Sequence, residues 1–234
     1  MLTGPAKVLS DEDTKKIHDA SLDILERTGT NILHDGILER LDDAGARVDR
    51  SSRTARFSAS MVEDLIRKAP HTIALYSRGE RETIEIGNGV THSVSGFDAT
   101  FIQDFVKNGR YPSGERRPIK TEEVGNFAMI ADRLEDIDIV GVQGIPQDVP
   151  QDKAEVYAVK MLLENTAKHI VIAPDTGLTA QTIFKMTKSV TRSDDIGSKP
   201  VLSCHISPSA PLRWTPAACD IIMHVLEEGV PFYI

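Results

Sequence analysis

Four runs decide how this chain is read: IDIVGVQG (137–144), HIVIAP (169–174), PVLSCHIS (200–207) and VPFYI (230–234). Each is short, apolar and rich in β-branched residues. They begin near Ile137, Lys168, Pro200 and Val230, so the steps between them are 31, 32 and 30 residues. Each step holds a helical segment, at 151–164, 177–191 and 214–228. A strand, a helix and a return to a strand every 30 residues or so is the period of a βα unit in a parallel sheet. The fold class expected is α/β, as a partial (β/α)8 TIM barrel of about four βα units, where a closed barrel takes eight units and roughly 250 residues.

Upstream, the pattern differs. Ser10 opens a helix with a Ser-x-x-acid box, SDED, and Ile17, Ala20, Ser21, Ile24 and Leu25 recur at helical spacing, so one face is apolar. Gly29 is a fitting stop. A second helix runs from Asp35 to Ala44, a short strand follows at ARFS (55–58), and Ser58 or Ser60 caps a third helix that Pro70 closes. From Thr72 to Phe105 the period becomes two, so TIALYS, ETIEIG, THSVS and TFIQDF read as short antiparallel strands with turns at GERE and GNG. NGRYPSGERRP (108–118) reads as a polar linker. The expected organisation is an N-terminal α+β accessory region at 1–118 and a first barrel half at 119–234. The second begins with a helix opened by Thr121 whose face is Val124, Phe127, Ile130, Ala131 and Leu134.

Composition narrows the classes. Apolar residues at 40% and charged residues at 26% suit a globular chain with a sizeable core. A net charge of -8 argues against a nucleic-acid binder. No window has the ~18 apolar residues of a membrane helix, and the N-terminus has no apolar leader core, so neither a span nor a signal peptide is expected. Two cysteines, Cys204 and Cys219, make no disulfide framework, and a cytoplasmic location with reduced thiols is expected.

In βα barrels the site lies at the C-terminal ends of the strands. Position, rather than motif, selects Asp148 after the first strand, Asp175 after the second and His205 at the end of the third. His205 can act as acid or base or bind a carbonyl or anion, or else be a packed interior imidazole. Asp148 and Asp175 can hold a cationic substrate, or else be helix-cap and turn residues, since PDTG is a turn signal. Cys204 faces away from His205 and reads as a small core residue. No metal site is expected from the scattered histidines, and no phosphate loop, nucleophile elbow or dinucleotide fingerprint is present.

Taken in order, LSDEDTKKIHDASLDILERTG (9–29), ILERLDDAGARVD (37–49), ARFSASMVEDLIRKAP (55–70), IQDFVKNGR (102–110), ADRLEDIDIVG (131–141) and LLENTAKHIVIA (162–173) resemble the trimethylamine methyltransferase family of corrinoid-dependent methyltransferases. The resemblance covers essentially the whole chain. It implies a (β/α)8 barrel with an N-terminal accessory region. It also implies transfer of a methyl group from a methylated amine, trimethylamine or a quaternary amine such as glycine betaine, to the Co(I) of a corrinoid. That corrinoid is supplied by a partner protein, and none is held tightly by this chain. The family runs well past 234 residues, and this chain is expected to be its N-terminal half. The resemblance carries over no catalytic residue. The rival expectation is a non-catalytic half-barrel, or one part of a split protein, that self-associates as a homo-oligomer through its open strand edge. An aldolase-like lyase is disfavoured, because Lys168 and Lys199 lie at strand starts.

Overall fold

The computed structural model describes residues 8–79, 83–104 and 114–234. Helix α1 (Asp11–Arg27) starts where Ser10 Oγ accepts the amide of Asp13 at 3.1 Å, with three acids in its first turn. It ends at Gly29, whose φ of 76° is left-handed and whose position leaves no room for a side chain: a Cβ there would lie 2.4 Å from the Ala55 carbonyl oxygen. The apolar stripe of this helix is not buried. Ile17 and Ile24 are 56% and 45% exposed, and no residue of α1 is buried. Helical periodicity records an apolar face, not what covers it.

Then follow β1 (Thr30–Ile32), α2 (Asp35–Asp43), β2 (Arg47–Asp49), β3 (Thr54–Arg56) and α3 (Ala59–Lys68). Ser58 caps α3, as predicted, while the cap of α2 is an imidazole: His34 Nδ1 accepts the Ile37 amide at 3.1 Å. Strands β4 (Ile73–Leu75) and β5 (Ile84–Ile86) pair antiparallel, as do β6 (Phe101–Gln103) and β7 (Arg116–Pro118). Most of the predicted linker, and the tip of the predicted GERE turn, lie outside the described residues. The last three linker residues are β7, where Arg116 lies over the Phe101 ring and Arg117 ties Asp104 to Glu123.

The βα series is helix α4 (Thr121–Arg133), β8 (Ile139–Gly141), a 3-10 turn (Gln151–Lys153) running into α5 (Ala154–Asn165), β9 (His169–Ile172), α6 (Gly177–Thr191), β10 (Leu202–His205), β11 (Arg213–Trp214), α7 (Pro216–Glu228) and β12 (Phe232–Tyr233). Strands β8, β9, β10 and β12 form one parallel sheet in the order β12-β10-β9-β8. The four apolar runs of the sequence are therefore adjacent strands of an α/β sheet. Residues of β8, β9 and β10 are buried on both faces, as expected where helices cover a parallel sheet. The main core joins Val140, Ile170, Ile172 and Leu202 to Val124, Leu162, Ile183, Phe184 and Val225 from the helices. On α4 the buried face is Val124, Ala128 and Ala131, while Ile130 and Leu134 are exposed, so the predicted face is rotated by part of a turn.

Two features depart from the sequence pattern. The segment 93–99, read as part of an antiparallel strand, runs parallel beside β8. The amides of Ser95 and Asp98 donate to the carbonyls of Ile139 (3.1 Å) and Val142 (2.8 Å), and Ile145 N donates back to Ala99 O (2.9 Å). Gly141 permits this approach, since a Cβ there would fall 2.8 Å from the Phe97 ring. Strand β11, read as a helix start, pairs with β1 and completes a second sheet, β11-β1-β3-β2. Trp214 packs against both the main core and the small cluster of Ile32, Leu38, Ala55 and Cys219.

Candidate functional site

The carboxyl ends of β9, β10 and the 93–99 segment converge on a cleft of about 270 Å³ lined by Asp98, Asp175, His205, Ser207, Thr215 and Ile221 among others. Ligands of parallel α/β sheets bind at this end of the strands. Asp175 stands just before Thr176, the N-cap of α6, whose Oγ1 accepts the Thr179 amide at 3.1 Å. His205 ends β10. Its ring stacks on Tyr233, with centroids 4.9 Å apart and planes 19° apart, and its Nε2 lies 3.3 Å from Ser207 Oγ. Asp98 is fixed by the β8 edge in a left-handed conformation, φ 56°.

Next to Asp175 sits Glu155, in the first turn of α5, where the two line an adjoining cleft. The Asp175 amide donates to Glu155 Oε2 at 3.2 Å, and Glu155 is only 6% exposed. Its Oε1 is buried and has no hydrogen-bond partner. Burial, then repulsion from Asp175 and Asp98, pushes the Glu155 carboxyl up to about 7. Asp98 is also raised, by burial and by Asp175, with His205 pulling the other way. These dependences make Asp98, Glu155, Asp175 and His205 one electrostatic unit.

Of the three residues selected by position, the structure brings Asp175 and His205 together. Asp148 does not line this cleft. Its Oδ1 accepts the Thr121 amide at 2.9 Å and the Thr121 hydroxyl at 2.8 Å, so it fastens the start of α4. Burial alone would raise Asp148, but those bonds outweigh it and hold the group below its usual value. Asp98 and Glu155 escaped sequence reasoning. For Glu155 a signal existed: in AEVYAVKMLLE it shares the face of Ala158, Val159 and Leu162, which are all buried.

The remaining candidates are structural. Cys204 is fully buried in the main core, and burial with Glu155 nearby pushes its thiol up to about 12, far from a thiolate at neutral pH. His169 is wholly buried, with Nδ1 donating to Tyr76 O (3.1 Å) and Nε2 3.0 Å from Ser203 Oγ. Lys168, at the opposite end of the sheet, donates to the carbonyls of Ala131 (2.8 Å) and Leu134 (2.7 Å). Among the described residues, no three His, Cys, Asp or Glu side chains are grouped to hold a metal ion.

A profile described as trimethylamine methyltransferase (MTTB) matches residues 2–234. The chain belongs to this family. The trimethylamine methyltransferase MttB of Desulfitobacterium hafniense (strain DSM 10664 / DCB-2) is 29% identical over 95% of this chain and 44% of its own length. The glycine betaine methyltransferase of Desulfitobacterium hafniense (strain Y51) is 23% identical, over 95% of this chain and 45% of that protein. The MttB of Methanosarcina thermophila is 22% identical, over 96% of this chain and 46% of that protein. The chain thus spans a little under half the length of these relatives. Among the described residues, no helix is long and apolar enough to cross a membrane.

Proposed function

We propose that this chain is part of an enzyme that takes a methyl group from a methylated amine and delivers it to a corrinoid held by a partner protein. On this reading the parallel sheet is the first part of a TIM-type barrel, residues 1–118 form the accessory region, and the protein works in the cytoplasm. The observation that carries the reading is the chemistry of the cleft. Among the described residues its lining holds Asp98 and Asp175 and no lysine or arginine, at the end of the sheet where such folds bind substrate. Methylated amines are cations at neutral pH, whether quaternary or protonated. Two aspartates at the rim, with the buried Glu155 carboxyl behind them, offer a negative lining to a cation. The stacked His205–Tyr233 pair stiffens one wall. Ser207 and Thr215 offer hydroxyls to whatever polar group the amine carries.

The cleft's 270 Å³ suits a small amine and not a corrin ring. The residues present therefore fit a corrinoid brought to the rim from outside rather than one housed within. A bound corrinoid would supply the nucleophile that accepts the methyl group; the protein's part is to bind the amine and orient its C–N bond.

The test mixes the protein with a corrinoid protein held as Co(I) and offers trimethylamine or glycine betaine. Loss of the Co(I) absorbance that depends on the amine is the expected result. A corrinoid protein that reacts with methyl iodide but with none of the methylated amines overturns the reading.

A further inference from the structure

Asp98 and Asp175 line the cleft and Glu155 lies behind it, bonded to the Asp175 amide, so the three carboxylates repel one another when all are ionised. The geometry shows where the strain falls. Glu155 is the most buried of the three, its Oε2 is committed to the Asp175 amide, and its Oε1 points to no donor although no water can reach it. An ionised carboxylate with one bare, buried oxygen is costly. A protonated one costs less, because no charge is then left in the buried site. The carboxylates facing Glu155 favour its neutral form, Asp175 from the β9–α6 loop and Asp98 from the 93–99 segment; the backbone amides of Asp175 and Ala173 pull the other way without offsetting burial. On its own helix end, Asp152 and Lys153 share a neighbouring cleft with it, and neither hydrogen-bonds to Oε1.

We propose that this cluster is a cation subsite loaded by exchange: the empty site holds one proton, on Glu155 or shared with Asp175, and an alkylammonium ion that enters beside Asp98 and Asp175 sends that proton to solvent. Charge balances, since one cation enters as another leaves. The proposal rests on the proposed function for the identity of the cation, and adds that its binding is coupled to proton release. It also sets a preference. Glycine betaine carries a carboxylate into the same acidic lining, so a methylated ammonium without one binds more tightly.

The test is calorimetric titration of the chain with tetramethylammonium, in buffers of differing ionisation enthalpy, at pH values of about 6, 7 and 8. Below about pH 7 the observed heat depends on the buffer, release approaches one proton per cation, and Kd tightens by up to about tenfold per pH unit, flattening above. Glu155→Gln binds with no proton release and no such pH dependence. Asp98→Asn weakens binding at every pH while retaining release, which keeps the outcome readable if the buried variant folds poorly. Absence of tetramethylammonium binding overturns the subsite. Binding with buffer-independent heats overturns the exchange. A protein that binds and exchanges but never alters the Co(I) spectrum refutes the proposed methyl transfer and leaves this inference standing.

Discussion

The two sheets of this molecule are built on opposite terms. The parallel sheet carries helices whose inward residues make one continuous core, with Phe184, Leu162 and Ile172 fully or almost fully buried. The sheet β11-β1-β3-β2 has four buried apolar residues in its cluster, and one of them, Cys219, comes from α7. Helices α1 and α3 bury no residue at all. The N-terminal region therefore owes part of its small core to residues some 160 or more positions downstream. Burial of apolar area is the main stabilising term, so the two regions must differ in local stability. The N-terminal one should open first.

Substitutions in each sheet probe this difference. Phe184→Ala removes the largest fully buried side chain and should cost about 3–5 kcal/mol, unfolding the whole chain at lower denaturant. If the N-terminal sheet kept its protection after that loss, it would be the more stable of the two. Next in size is acid sensitivity. Burial holds His169 down at about 4, below its ordinary 6.5, so its neutral form is favoured by folding. Its contribution is complete above pH 6.5 and drains away as pH falls toward 4. The stability difference between the protein and His169→Gln should shrink by about 3 kcal/mol over that window, as read from urea melts. A constant difference would mean that the imidazole titrates freely. Leu38→Ala, in the small cluster, should cost about 2–3 kcal/mol and abolish hydrogen-exchange protection in α2 and β1 to β3, with β8 to β10 unchanged. Equal loss in both sheets would show one cooperative unit. Ser10→Ala should have the smallest effect, about 0.5–1 kcal/mol, confined to the amides of α1.

What the sequence disclosed follows the same division. Strands buried on both faces read as continuous apolar runs, so β8, β9 and β10 were legible, and exposed β12 followed from the same 30-residue step; Asp175 and His205 were placed by position at the strand ends. Asp98 was not legible, because it reaches the cleft through backbone hydrogen bonds to β8 and through the space left at Gly141, and neither leaves a side-chain pattern. Glu155 left a trace, an acid on an otherwise apolar helical face, which is easily mistaken for a first-turn residue suited to the helix dipole. Asp148 follows a strand of the parallel sheet, yet its Oδ1 is engaged by Thr121 rather than facing the cleft. Strand β11 is two residues long, too short for any periodicity to register.

Strand β11 also couples the two sheets mechanically. It sits in the loop between β10 and α7, and the same loop supplies Ile206, Ser207 and Thr215 to the wall of the cleft. One face of the loop is sewn into the N-terminal sheet and the other borders the carboxylates. The N-terminal sheet cannot swing away from the parallel one without dragging a wall of the cleft along. A shift of either piece is felt as a change in the width of the opening.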